Sequence, residues 1–394
     1  MQNKTFHPTR WTLVFLLLSS MMILMGGAAV APALPAISAA FPDASEAAIS
    51  LIITLPALAI VFSGFFIGAA VDKFGKVRIL AISLAVFTFA GVSGFFLTSL
   101  PAILVGRIIL GIGISGIVNT TTTLITDYYQ GPSRVKVLGY QAAAMGIGVV
   151  ILDTSGGFLA GISWRMAFLI YLLGLFILIG TLVTMKEPVR EKVNMTRDAP
   201  KNKTPVGSIV LIYITLFLGM MLFFLMPTKF PYLIAEYVEN SSALSGILLG
   251  ILGIFSALIG TLYWRIAGRI HRMVNISLSF ILLGAGYVLF GLSESMMIIV
   301  LSVIIIGIGN GLLMPTVLSW LGVITPREIM GKVMGGYGVS LNLGQFLASI
   351  VAIPVIMITA GYGEMFLIFG VIAIILGVFY LLGYLKVRNT SHTN

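Results

Sequence analysis

Apolar stretches of about 20 residues recur along almost the whole chain, and each is long enough to cross a bilayer as a helix. With 59% hydrophobic and 9% charged residues and a mean hydropathy of +1.10, the 394-residue chain has more apolar surface than one water-soluble core can bury. The pattern predicts an all-α membrane protein with twelve transmembrane helices, which start near Trp11, Ala47, Val77, Pro101, Val137, Arg165, Ser208, Ala243, Asn275, Met296, Val333 and Gly363.

The formal net charge of +10 suggests nucleic-acid binding only until the charges are placed along the chain. Most of the 23 Lys and Arg residues fall in loops on one side of the predicted membrane, whereas Asp43, Glu46, Glu236 and Glu239 fall on the other. By the positive-inside rule, the basic side is cytoplasmic. We therefore expect a multi-pass protein of the plasma membrane with both termini in the cytoplasm and no nucleic-acid partner.

Residues that support metal or covalent chemistry are scarce in this chain. It has no Cys, and its three His residues lie in predicted tails or loops without metal-ligand spacing. It also lacks a recognisable nucleophile–base pair, nucleotide motif or appended soluble domain. The sequence thus predicts no metal, no cofactor and no enzymatic activity.

Two short patterns recur at the same distance and indicate an internal repeat. Lys136-Val137-x-Gly139 returns at Lys332, and Gly111-Ile112-Gly113 returns at Gly307, so both pairs lie 196 residues apart (136 to 332 and 111 to 307). The polar, charged segment between the two copies carries three prolines, Pro188, Pro200 and Pro205, and is typical of a linker. We predict an N-terminal six-helix half over 1–185, a cytoplasmic linker over 186–207 and a C-terminal half over 208–394.

A polar patch between the second and third apolar runs has a distinctive spacing. It reads Gly68-x-x-x-Asp72-Lys73-x-Gly75-Lys76 and continues to Arg78. Glycines there permit close helix packing and a tight turn. This spacing resembles the cytoplasmic loop signature of the major facilitator superfamily of secondary transporters, although Ala70 replaces the usual Leu and Val77 a usual basic residue.

Further motifs extend the resemblance over nearly the whole chain and favour the twelve-span drug:proton antiporter branch. Pro32-Ala-Leu-Pro35 is similar to the paired prolines of span 1, and Trp164-Arg165-x-x-Phe168 to the start of span 6. Arg107 matches the buried arginine that the family associates with proton coupling, and Asp127 the acid that faces the loop signature. The resemblance implies two pseudo-symmetric six-helix halves and a gating motif of Gly68, Asp72, Lys73, Gly75, Lys76, Arg78 and Asp127.

Span 5 departs from the antiporter pattern in a way that adds a carboxylate. Leu152-Asp153 stands where the branch has Gly-Pro, so Asp153 and Arg107 are both intramembrane charges. Counting residues from the helix ends places them at about the same depth on neighbouring antiparallel helices. Intramembrane charges are normally paired or functional. We expect an Arg107–Asp153 pair, either as a structural ion pair or as the proton-coupling unit.

Other residues are candidates for the wall of a central substrate cavity. Polar side chains within spans serve either a cavity or helix packing, and Met and Phe form adaptable apolar walls or face lipid. The candidates are Met22, Met25, Asn119, Thr123, Phe223, Phe224, Asn310, Met314, Asn342 and Gln345. Lys229, near one end of span 7, is expected to extend to the membrane interface.

The sequence favours a monomeric secondary transporter that works by alternating access, with a small-molecule substrate, protons and the lipid bilayer as its partners. The most favoured activity is proton-coupled export of a small, partly hydrophobic organic molecule, as in multidrug efflux by antiport. One alternative is import of a small anionic metabolite with Arg107 as its carboxylate anchor. A more remote alternative is a sensor on the same fold that does not transport.

Overall fold

The computed structural model describes residues 8–188, 206–267, 269–293, 295–326 and 329–392. No strand occurs in these ranges. The chain divides into two compact units, 1–201 and 202–394, and the division falls inside the predicted linker. Most of that linker lies outside the described residues.

The described part of the first unit contains eight α-helices. They are α1 (Arg10–Met21), α2 (Met25–Ala28), α3 (Leu34–Ala40), α4 (Glu46–Phe74), α5 (Lys76–Phe96), α6 (Leu100–Tyr128), α7 (Gly131–Ile162) and α8 (Leu173–Thr184). Short 3₁₀ helices cover Met22–Leu24 and Ala31–Ala33, and a longer one, Trp164–Leu172, leads into α8.

The described part of the second unit contains seven α-helices. They are α9 (Val206–Phe223), α10 (Leu225–Tyr237), α11 (Ser242–Ala267), α12 (Arg272–Gly291), α13 (Met296–Ile324), α14 (Met330–Ile358) and α15 (Tyr362–His392). Across the described residues, eleven helical stretches are long and apolar enough to cross a membrane. The predicted starts agree within about one turn, except that α7 begins at Gly131 rather than near Val137.

The predicted first span differs from the others because it is broken into short pieces, Arg10–Leu24 and Ala31–Ala40. Proline explains the break. Pro32 has no N–H, so it cannot donate to the carbonyl of Ala28, where α2 ends. The stretch Val206–Tyr237 is interrupted in the same way, since α9 ends at Phe223, four residues before Pro227. Twelve complete spans therefore stay a prediction.

The repeated glycines make equivalent helix contacts within each unit. In the first unit, a Cβ on Gly111 would lie 2.8 Å from Pro56 Cα of α4, and one on Gly113 would lie 2.9 Å from Phe87 N of α5. In the second, a Cβ on Gly307 would lie 2.7 Å from the Leu252 carbonyl oxygen of α11, and one on Gly309 would lie 2.9 Å from the Ser279 carbonyl oxygen of α12. Each glycine pair thus lets one central helix pack closely on two neighbours.

Candidate functional site

Arg107 of α6 is completely buried, with 0% of its surface exposed. Its Nη1 donates to the Tyr171 hydroxyl at 3.1 Å, and its Nη2 donates to the carbonyls of Gly91 at 2.9 Å and Ala90 at 3.4 Å. The guanidinium also lies 4.9 and 5.0 Å from the ring centroids of Phe168 and Tyr171. Carbonyl acceptors and aromatic faces therefore stabilise this charge inside the membrane span.

Glycines on α5 make room for the aromatic side chains around Arg107. A Cβ at position 91 would lie 2.7 Å from Tyr171 Cδ1, and one at position 94 would lie 2.9 Å from Phe168 Cγ. The Tyr171 hydroxyl also reaches the Gly26 carbonyl of α2 at 3.5 Å. Arg107 is thus connected through Tyr171 to the broken first span.

The predicted ion pair between Arg107 and Asp153 is wrong in this structure, in which both residues are described and no salt bridge joins them. Equal depth gives only the position of two residues along the membrane normal. Helix packing decides the direction in which each side chain points, and therefore whether the two can meet. The helix that carries Arg107, α6, packs mainly on α4 and α5, while α7 packs on the broken first span and on the Trp164–Leu172 segment. A role of either residue in proton coupling stays a prediction.

Asp153 lies in α7 with only 5% of its surface exposed, and its Oδ1 has no hydrogen-bond partner in the structure. Two glycines on α7 contact the broken first span. A Cβ on Gly148 would lie 2.9 Å from Met21 Cβ, and one on Gly156 would lie 3.0 Å from Ala29 Cα. Asp153 is three residues before Gly156 and so shares that helix face. Asp153 therefore lies in the part of α7 that packs on the broken first span, three residues before the contact at Gly156.

The break leaves backbone carbonyls of the first span without their usual helical donors. Pro32 cannot donate to Ala28 or Ala29, and the next N–H, that of Ala33, bonds the Val30 carbonyl at 2.9 Å. The backbone around Ala29 is therefore held by fewer hydrogen bonds than a continuous helix. A buried acid on a helix that packs on such a segment is a candidate for protonation coupled to movement.

Asp127 faces the loop signature and forms a salt bridge with its Lys76, whose Nζ lies 2.5 Å from Asp127 Oδ2. Gly75 adopts φ = 100°, which only glycine takes readily, and so forms the tight turn that the sequence predicts. Gly68 is different, because a Cβ there would meet nothing within 4 Å. The prediction that Gly68 permits close packing is therefore wrong for the described residues.

The remaining members of the predicted gating motif lie at the surface. Asp72 and Arg78 are exposed, and no hydrogen bond or ion pair to another described residue is formed by either of them. Lys73 Nζ lies 5.3 Å from the ring centroid of its neighbour Phe74. Their role in gating stays a prediction.

Sequence reasoning missed Glu187, which completes this cluster. Its carboxylate accepts hydrogen bonds from the backbone N–H groups of Lys76 at 2.5 Å and Val77 at 3.0 Å. The side chain therefore caps the N-terminus of α5, where a negative charge is favourable. The Tyr128 hydroxyl binds the adjacent Lys186 carbonyl at 2.6 Å. Because Glu187 is 111 residues from Lys76, no local signal revealed the contact.

The predicted substrate residues of the first unit are only partly accessible. Met22 is buried, and the side chain of Met25 lies outside the described residues. Asn119 and Thr123 are half-buried and bond the carbonyls of Ser115 and Asn119, each at 2.8 Å. Gln141, which the sequence analysis missed, joins α7 to α1 and α6. Its Nε2 donates to Ser20 Oγ at 3.1 Å and to Thr122 Oγ1 at 3.2 Å.

In the second unit, Asn310 is buried and its Nδ2 donates to Ser256 Oγ at 2.9 Å, while its Oδ1 has no partner in the structure. Asn342 donates to the Gly338 carbonyl at 2.8 Å. Phe223, Phe224, Met314, Asn342 and Gln345 are half-buried. A substrate-binding role for this set stays a prediction.

Lys229 corrects another expectation, because it does not extend to the membrane interface. It is fully buried, with 0% exposure, and its Nζ lies 5.9 Å from the Tyr232 ring centroid. Helix α10 continues to Tyr237, so Lys229 lies two turns inside the helix, and this helix packs on α11, α14 and α15.

Comparison with known proteins identifies the family. Residues 16–349 match the sequence profile of the Major Facilitator Superfamily. Multidrug resistance protein 1 of Bacillus subtilis (strain 168) is 26% identical over 276 residues, which cover 66% of this chain and 68% of that protein. Tetracycline resistance protein, class H, of Pasteurella multocida is 26% identical over 223 residues, which cover 56% of this chain and 54% of that protein.

Among solved structures, a D-xylose-proton symporter matches with a TM-score of 0.78 at 17% identity, covering 94% of this chain and 96% of that one. This similarity shows the fold.

Proposed function

We propose that this chain, which belongs to the Major Facilitator Superfamily, exports a small, partly hydrophobic organic molecule in exchange for protons. The chain is a multi-pass membrane transporter of small molecules. Support for export comes from similarity to the multidrug and tetracycline resistance proteins. The fold does not decide the direction of transport, since a proton symporter shares it.

We propose that Asp153 binds and releases the coupling proton. Its carboxylate is almost fully buried within a membrane-spanning helix, and Oδ1 has no partner in the structure. An unpaired charge is costly in such surroundings, so the neutral, protonated acid is the more stable form there. When water reaches the site, the ionised form becomes accessible. One carboxylate can therefore take up and release a proton during a cycle.

The broken first span offers a way for that environment to change. The backbone around Ala29 has lost helical donors and lies against α7 at Gly156. A segment with few backbone hydrogen bonds rearranges more readily than a continuous helix. We propose that its movement changes the access of water to Asp153, as in the discontinuous helices of other transporters.

The alternative role of Arg107, as anchor of an anionic metabolite, receives less support. Both of its terminal nitrogens already donate to protein oxygens, and none of its surface is exposed. A bound carboxylate would have to replace these contacts. We propose instead that Arg107 positions Tyr171 and, through it, the broken span.

Transport into proteoliposomes with an imposed pH gradient tests the proposal, with tetracycline and a panel of hydrophobic amines as probes. The wild-type protein is expected to accumulate a probe against its gradient while protons move in the opposite direction. Asp153→Asn should only equilibrate the probe, whereas Asp43→Asn, at an exposed loop position, should behave as wild type. Full pH-driven accumulation by Asp153→Asn would contradict the role of this acid.

A further inference from the structure

An apolar groove of about 560 Å³ runs between α5 and α6 on the surface of the first unit. It is lined by Ile82 and Phe89 of α5, by Leu97 directly after α5, and by Ala102, Val105 and Ile109 of α6. Phe89 and Val105 are 72% and 55% exposed. The groove extends from the middle of α5 to its end opposite Lys76, which is the side that the charge pattern predicts to be extracytoplasmic.

Arg165 lies at that end of the groove. Its Nη1 donates to the carbonyls of Phe95 at 3.1 Å and Leu97 at 2.8 Å, and its guanidinium is 4.4 Å from the Trp164 ring centroid. Its Nε and Nη2 donors have no acceptor in the described part of the chain, and the residue is only half-buried. A cation with free donors thus lies where Trp side chains mark the interface of a membrane.

We propose that this groove binds an anionic phospholipid, with one acyl chain along the apolar groove and the phosphate on Arg165. The apolar lining needs a hydrocarbon partner, and the guanidinium needs a negatively charged acceptor. A phospholipid at the membrane interface supplies both in one molecule, because its phosphate is covalently linked to its acyl chains. The uncapped N-terminus of α6, at Ser99–Leu100, adds favourable electrostatics for the phosphate.

The groove also touches the backbone that holds Arg107. Ala90 and Gly106 form part of its lining, and the Ala90 carbonyl accepts hydrogen bonds from Ser93 Oγ at 2.8 Å and Arg107 Nη2 at 3.4 Å. A bound acyl chain therefore packs on the residues that support the buried arginine. This inference stands independently of the transported substrate and of the coupling ion.

Native mass spectrometry of the purified full-length protein tests the site, with phosphatidylglycerol and phosphatidylcholine of identical acyl chains as probes. The wild-type protein should retain more phosphatidylglycerol than phosphatidylcholine. Arg165→Gln should lower phosphatidylglycerol retention about fivefold, the effect of one basic residue near an anionic head group. Arg134→Gln is the matched control, because Arg134 also bonds two backbone carbonyls, those of Thr126 and Tyr129, but is exposed and does not line this groove.

A second variant fills the groove and leaves Arg165 intact. Ala102→Phe should lower the retention of both lipids, whereas Val183→Phe, at a position 78% exposed on α8, should leave both unchanged. Thermal unfolding in detergent checks that each variant is folded. Equal retention of the two lipids by the wild type, or phosphatidylglycerol retention unaffected by Arg165→Gln or by Ala102→Phe, would overturn the proposal.

Discussion

The Nη1 of Arg107 donates a hydrogen bond to the Tyr171 hydroxyl at 3.1 Å, inside a site that water does not reach. Tyr171 also stacks edge-on against Phe87, with ring centroids 5.4 Å apart. The phenol therefore combines a polar contact to a buried charge with apolar packing. In this structure, the principal side-chain partner of the buried arginine is an aromatic hydroxyl.

Replacing Tyr171 by Phe separates these two contributions. The ring and its packing remain, but Arg107 loses one acceptor, so we expect a loss of about 1.5–3 kcal/mol in the free energy of unfolding. Thermal unfolding of the purified protein in detergent measures the change. Tyr140→Phe, at an exposed position on α7, should have little effect. Equal stability of Tyr171→Phe and wild type would show that the hydrogen bond contributes nothing.

Because Arg107 and Asp153 do not form a pair, the effects of Arg107→Gln and Asp153→Asn on unfolding should add. Independent sites usually add within about 0.5 kcal/mol, whereas members of one ion pair do not. A double-mutant cycle by chemical denaturation gives the coupling energy. Recovery of stability in the double variant, relative to either single variant, would show that the two charges interact after all.

Glu187 should stabilise the N-terminus of α5 through its two hydrogen bonds. We expect Glu187→Ala to lower the free energy of unfolding by about 1 kcal/mol, which is typical of a lost helix cap. Gly75→Ala should also destabilise, since φ at this position is 100° and the new Cβ would lie 2.7 Å from Glu187 Cδ. The same denaturation experiment measures both, and wild-type stability in both variants would argue against the cap.

Asp72 allows the gating prediction to be tested apart from stability. It is exposed and makes no contact with a charged partner in the described chain, so Asp72→Asn should unfold like wild type. If Asp72 acts by favouring one conformation of the cycle, this variant should transport more slowly while its affinity for a ligand stays nearly unchanged. Ligand titration and transport rates in proteoliposomes provide the two readouts. A wild-type rate would refute the gating role.

Because Gly111 and Gly307 pack in the same way, replacing either one by a larger residue should lower the stability of its unit by a similar amount. Gly111→Leu and Gly307→Leu each force a side chain against the backbone of a neighbouring helix, at Pro56 and Leu252 respectively. We expect each to destabilise by about 1–3 kcal/mol. Gly139→Ala and Gly335→Ala are the controls, because a Cβ there meets nothing within 4 Å. A stability loss in the controls as large as in the Leu variants would contradict this packing argument.

The sequence by itself determined the class of the protein and the positions of most helices. Apolar runs long enough to span a bilayer must form helices there, since every backbone polar group needs an internal partner in lipid. Local chemistry was equally informative at Gly75, where a turn between two helices needs a positive φ. The Lys76–Asp127 contact followed from the resemblance to a known motif.

Only the tertiary structure decided which side chains meet. Residue counting predicts equal depth for Arg107 and Asp153, but their side chains form no ion pair, because helix packing decides which way each one faces. Glu187 reaches Lys76 across 111 residues, and Lys229 is buried because other helices surround it. Hydrophobic periodicity specifies how a helix lies in the membrane, whereas the packing of all helices together determines the partners of each charge.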